Sequence, residues 1–238
     1  MTRYQGFTLL EVIVAVAITA SISVGSVQLL HTIIVARDST EVRSDQMIAL
    51  QRLNAIVSRD IEQFINRPIL DAYGDEQDAL LLDDGDYLLE LTRTGWRNRP
   101  GVEDPRSELQ RIAYQLESID SDACEAARRR LSDWGIEEPE GECLVRYVWS
   151  VLDRSYDSEP RSMVVLDQIE ELDISLLADT VNSDSDDEVT DSTWYDSWPI
   201  VQGSDESVIP QGMRWKMTLP IIGEATRLWT LAHDGEEL

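Results

Sequence analysis

Few residues in this chain of 238 could do covalent or acid–base chemistry. The only histidines are His31 and His233, the only cysteines are Cys124 and Cys143, and no GxSxG, HExxH or phosphate-loop pattern occurs. Hydrolytic triads are excluded on that count, and no catalytic residue, metal site or cofactor is expected. With 46 acids in the chain, two carboxylates at glycosidase-like separation would arise by chance. Asn182, Asp184 and Asp186 alternate as calcium ligands do, but the sixth position of that stretch is Asp187 rather than Gly, and the twelfth is Thr193 rather than Glu. The clearest physical demand comes from Glu11. It stands at the start of a run, Val12 to Ala36, that holds no Asp, Glu, Lys or Arg. A carboxylate there is costly in lipid unless a cation meets it, so its chemistry is pairing.

The elements that must position Glu11 follow from the same run. At about 1.5 Å per residue it covers a hydrocarbon core of roughly 30 Å as a helix. Beyond it, Met47, Leu50, Leu53, Val57, Ile61 and Phe64 recur at three- and four-residue steps, which predicts an amphipathic continuation. Pro68 is the expected stop, giving one helix from about Phe7 to about Asn66. The chain is thus divided into a short polar N-terminus (1–6), a transmembrane half (7–36), an amphipathic half (37–66) and a head (67–238). An ordinary cleaved secretory signal and a plain anchor both fit less well. The run exceeds a typical apolar region of about 7–15 residues, an acid stands at its start, and Ala15-Val16-Ala17 falls in mid-helix.

Lys and Arg number 20 against 46 acids, a formal charge of −26 that would become −27 on loss of Arg3 with residues 1–6. Such a surface disfavours nucleic acid, whose binding rests on basic side chains. Arg3 places this short N-terminus in the cytoplasm and the acidic bulk in the periplasm. In that oxidising compartment Cys124 and Cys143 are expected to form one disulfide. Closing a loop of about 20 residues would stabilise by roughly 3 kcal/mol.

Strand signals begin at Ala79–Leu82 and continue at Tyr87–Thr92, Leu109–Glu117, Leu144–Leu152, Met163–Asp167, Leu172–Leu177, Met213–Leu219 and Leu228–Leu231. Asp84-Gly85-Asp86 reads as a hairpin turn with Gly at positive φ, and Ile112, Tyr114 and Leu116 alternate as in a half-buried strand. The cysteines bracket an insert (118–143) with a capped short helix ending near Gly135, whose Arg128, Arg129 and Arg130 are expected to offset neighbouring carboxylates. An acidic loop (179–193) follows later. The fold class is α+β: a long helical stem packed on a mostly antiparallel β head.

The stretch Gln5-Gly6-Phe7-Thr8-Leu9-Leu10-Glu11 resembles the leader of type IV pilins and pseudopilins. The resemblance implies a pilin-like fold, cleavage between Gly6 and Phe7 by a prepilin peptidase, and N-methylation of Phe7. It also implies that Glu11 is an assembly residue, meeting the N-terminal ammonium of a neighbouring subunit. Further stretches resemble the J-type minor pseudopilins of the type II secretion system. These are Arg59-Asp60-Ile61-Glu62-Gln63, Arg67-Pro68-Ile69, Leu89-Glu90-Leu91-Thr92-Arg93, Gly95-Trp96-Arg97-Asn98, Glu108-Leu109-Gln110-Arg111-Ile112-Ala113-Tyr114 and Val151-Leu152-Asp153-Arg154. The likeness runs from the leader to about residue 170; the insert and the acidic loop depart from it. It implies a non-enzymatic component of the pseudopilus tip that primes pseudopilus growth for protein export. The implied partners are I-type and K-type minor pseudopilins, with the H-type as a further candidate, the major pseudopilin and the prepilin peptidase. The implied site is the inner membrane, with the head in the periplasm. Trp96 and Arg97 are expected to fill a sheet edge rather than to meet a partner. Two other roles share part of this pattern: a minor pilin of a type IV pilus or competence system, and a membrane-tethered periplasmic binding protein.

Overall fold

The computed structural model describes residues 8–71, 73–95, 108–149, 151–154, 158–182, 189–200, 208 and 210–231. One long helix, α1 (Leu9–Glu62), opens the described chain. Packing divides the protein into two compact units, Met1–Asp45 and Gln46–Leu238. The first unit holds α1 up to Asp45, and its large apolar residues from Leu9 to Val35 are 49–78% exposed.

In the second unit the remainder of α1 meets its own sheet partners. Leu50, Leu53, Val57 and Ile61 repeat at three- and four-residue steps, face the interior and are at most 4% exposed. Burial of each such side chain contributes about 1.5–3 kcal/mol. Met47, expected on the same face, is exposed. The helix ends at Glu62, short of the Asn66 that Pro68 suggested. The backbone after it leaves the helical ladder to bond the chain around β4 (Leu89–Arg93): Ile65 N–H donates to Thr92 O at 3.1 Å and Thr94 N–H to Gln63 O at 2.8 Å. Sheet pairing therefore stops the helix before proline does.

Before β4 come β1 (Ile69–Leu70), β2 (Glu76–Gln77) and β3 (Leu80–Leu82), of which β1 and β2 pair only with each other. After it come β5 (Gln110–Ser118), a 3-10 turn (Asp122–Cys124), α2 (Glu125–Asp133), β6 (Glu142–Val148) and β7 (Arg161–Ile169). The chain closes with β8 (Glu171–Asn182), β9 (Val189–Tyr195), β10 (Pro210–Leu219) and β11 (Gly223–Thr230). Two antiparallel sheets result, β3-β4-β5-β6-β7 and β11-β10-β8-β9. The inward residues of both, among them Leu89, Leu91, Ile112, Tyr114, Leu144, Ile174, Leu176 and Trp215, form one core with the buried face of α1.

Four expectations need correction. The segment read as an acidic loop (179–193) is largely the β8–β9 hairpin: Asp179 to Asn182 pair with Val189 to Ser192, and only residues 183–188 of it lie outside the described residues. β5 is not half-buried. Gln110 to Tyr114 are buried in succession, because Arg111 and Ala113 are covered on the face away from the core. In the β3–β4 turn the left-handed residue is Asp83 (φ 51°) rather than Gly85. The helix in the cysteine insert has no side-chain cap at its start. Its end is built as a glycine stop: Gly135 takes φ 82°, Gly135 N–H reaches Ser132 O and Ile136 N–H reaches Leu131 O.

Candidate assembly site

The first turn of α1 contains the one acid of the apolar segment. Thr8 and Glu11 form a reciprocal capping box: Glu11 N–H donates to Thr8 Oγ1, and Thr8 N–H and hydroxyl both reach Glu11 Oε2, each at 3.3 Å. The Thr-Leu-Leu-Glu spacing carries this motif, and sequence reasoning that looked only for a partner outside the chain missed it. A cap contributes about 1 kcal/mol. A carboxylate in mid-bilayer costs about 3 kcal/mol, so the box eases the need for a cation without removing it. Both Thr8 contacts fall on Oε2. Gly6 and Phe7 lie outside the described residues.

Past Glu11, α1 offers lipid or neighbouring chains a surface that is apolar and internally satisfied. Within α1 an 18-residue window has a mean hydropathy of 2.0 and none of it is buried, which is long and apolar enough to cross a membrane. Its hydroxyls are spent on the helix itself: Thr19, Ser21, Ser23, Ser26 and Thr32 each donate to the carbonyl four residues back, at 2.7–3.0 Å. His31 is exposed on this segment.

In the second unit the stretches singled out in the sequence converge on two buried charge clusters. Asp60 on α1, 1% exposed, accepts from Arg93 Nη1 at 2.7 Å, from Arg146 Nε at 2.6 Å and Nη2 at 2.9 Å, and from the Tyr114 hydroxyl at 2.6 Å. Gln63 and Gln110 hold the same Arg93 at 3.2 and 3.0 Å. On the sheet face away from the core, Glu90 accepts from Arg111 Nε at 3.2 Å and from Arg154 Nη2. Arg111 Nη1 also donates to Asp78 O, Ala79 O and Thr92 Oγ1 at 2.8–3.2 Å, and Arg154 lies 4.0 Å over the Trp149 ring. Burial, and then Asp60, pushes the Tyr114 hydroxyl well above its usual range. Burial lowers Arg93 and Arg111 despite their carboxylates; at Arg146 burial is again the largest single effect, but the hydrogen bonds and charge of Asp60, with Tyr114, together exceed it and raise the group. These arginines stay cationic and act as ties between α1, β4, β5 and β6.

Gly95 belongs to the same joint. It sits at φ 103°, which L side chains rarely adopt, and an added Cβ would stand 2.2 Å from Gln63 Oε1, so a substitution here would strain the backbone and displace Gln63. Trp96, Arg97, Asn98 and His233 lie outside the described residues. Cys124 and Cys143 are bonded, with Cα atoms 6.0 Å apart, and both are fully buried. The three arginines of α2 are spent within the domain: Arg128 on Ile119 O and Ser121 O, Arg129 on Glu125, and Arg130 on Asp167.

Comparison with known proteins agrees with this geometry. The family model for type II secretion system protein J matches residues 28–231, and the prokaryotic N-terminal methylation motif matches residues 1–27. A type II secretion system protein J from Klebsiella pneumoniae is 28% identical over 96% of both chains, and one from Vibrio cholerae is 35% identical over 47% of this chain and 52% of its own. The fold is shared with a chain in the crystal structure of the GspK-GspI-GspJ complex from enterotoxigenic Escherichia coli. The TM-score is 0.54 at 21% identity, over 79% of this chain and 98% of the other. With the family model spanning most of its length, this chain belongs to the type II secretion system protein J family, the J-type minor pseudopilins.

Proposed function

We propose that this minor pseudopilin acts at the tip of the pseudopilus as a binding subunit rather than an enzyme, priming filament growth for export across the outer membrane. A prepilin peptidase cleaves between Gly6 and Phe7, Phe7 is N-methylated, and the new ammonium and Glu11 supply complementary charges between neighbouring subunits. The observation that carries this reading is the contrast within α1. Its first segment exposes 49–78% of each large apolar side chain and holds an acid in its first turn, so it is unfinished until other helices or lipid surround it. Before assembly the chain is anchored in the inner membrane, with residues 1–6 in the cytoplasm and 67–238 in the periplasm. The related chain in the Escherichia coli structure is crystallised with the K and I subunits, which supports the corresponding subunits as partners here; the H-type and major pseudopilins are further partners in this reading.

Glu11→Leu tests the reading. Removal of a charge leaves membrane insertion intact, while recovery of the I-type and K-type subunits with the full chain falls at least tenfold and export fails with it. Insertion lost together with assembly, or assembly retained, would overturn it.

A further inference from the structure

The cysteine-bracketed insert lies between the stretches quoted above, inside the span that the family model matches, and the assembly reading assigns it no role. It is held from three sides. Cys124–Cys143 ties its 3-10 turn to β6, the Arg130 fork bonds both Asp167 oxygens on β7 at 2.5–3.0 Å, and Arg128 closes the turn on Ile119 O and Ser121 O. Ile119, Ala127 and Leu131 form with the cysteines and Val145 a small core separate from the main one. The glycine stop at Gly135 fixes Trp134 at the end of α2.

What this rigid unit faces is α1. Leu131 and Trp134 line one cavity of about 20 Å³ with Gln46 and Ala49, the first residues of α1 in the second unit, ahead of Leu50 where the main core begins. Such a space holds a single water. Gln46 Oε1, buried and without a partner, is an acceptor such a water would satisfy.

We propose that the insert is a brace that fixes the Gln46–Leu53 segment of α1 through Leu131 and Trp134, and that the disulfide keeps the brace stiff. The brace would act whatever the protein assembles into. Its test is hydrogen–deuterium exchange of the full chain in detergent micelles, compared across the unaltered protein, the Cys124→Ser/Cys143→Ser pair, Trp134→Ala and Trp134→Phe. Trp134→Ala keeps the disulfide, so it reports even if the cysteine pair fails to fold. The expected result is that amides of Gln46–Leu53 exchange roughly tenfold faster in the serine pair and in Trp134→Ala, with most protection regained in Trp134→Phe and none lost in β8 and β10. Faster exchange confined to residues 119–136, or a uniform rise across the whole second unit in Trp134→Ala, would overturn the proposal.

Discussion

The two halves of α1 are one unbroken helix under opposite conditions. From Leu9 to Val35 the apolar residues surround the helix on every side and are exposed; from Leu50 to Ile61 they form a single stripe and are buried against two sheets. The polar groups differ in the same sense. In the first half, hydroxyls fold back on the helix and Glu11 bonds Thr8 within the first turn. In the second, Asp60 has two arginines and a tyrosine. Apolarity thus says that a segment must be covered, while the width of the apolar face says by what. An all-round surface calls for lipid or sister helices; a stripe calls for the chain's own sheet.

The largest break in this contrast is expected from Asp60→Ala. It strands the Arg93 and Arg146 guanidiniums and should cost about 3–5 kcal/mol of head stability, read as a fall in the urea midpoint of the full chain in detergent. A cost below about 1 kcal/mol would mean that the cluster is not what binds α1 to β4, β5 and β6. Next comes a matched pair: Leu53→Ala should lower the same midpoint by about 2–5 kcal/mol, while Leu30→Ala should leave it unmoved. A comparable loss from Leu30→Ala would erase the distinction between the halves. Thr8→Ala should loosen only the first turn by about 1 kcal/mol, seen as faster amide exchange near Glu11 with an unchanged head midpoint.

The smallest effect concerns pH. Burial, and then the Glu117 carboxylate bonded at 2.7 Å, raises the Tyr147 hydroxyl, and Tyr114 is raised as well. A folded-state value above the unfolded one gives stability that is whole below the unfolded value of about 10 and is lost as pH rises through and beyond it. Alkaline titration should therefore weaken the second unit and spare the first. Tyr147→Phe should flatten part of that slope; an unaltered slope would leave Tyr114 and Tyr87, both raised first by burial, as its sources.

The anchor, the amphipathic face from Leu50 to Ile61 and eight of the eleven strands among the described residues are legible in the sequence, because apolar runs and repeats bounded by turn residues mark them. β1, β2 and β9 are not. The first two span two residues each, and β9 carries polar and acidic residues because its partner β8 supplies the ladder. Asp60, Glu90, Arg93, Arg111 and Arg154 all fall within stretches that mark the family, yet their role as buried ties was not legible. A charged residue in a strand reads as solvent-facing unless its opposite charge is known to arrive from far along the chain, as Arg146 does to Asp60 from 86 residues away. The spacing Thr8 to Glu11 was the readable signal of the capping box.

The buried ties have a consequence for the outside of the molecule. Arg93, Arg111, Arg146 and Arg154 against Asp60 and Glu90 leave +2 inside, so the rest of the chain carries −28 where the whole sums to −26. By turning its cations inward the protein becomes self-avoiding. Two copies repel once their surfaces come within a screening length of about 8 Å at physiological salt, whereas a subunit with a basic face is drawn in across the same gap. A filament end that accepts one copy and then a different neighbour could be ordered by that sign alone.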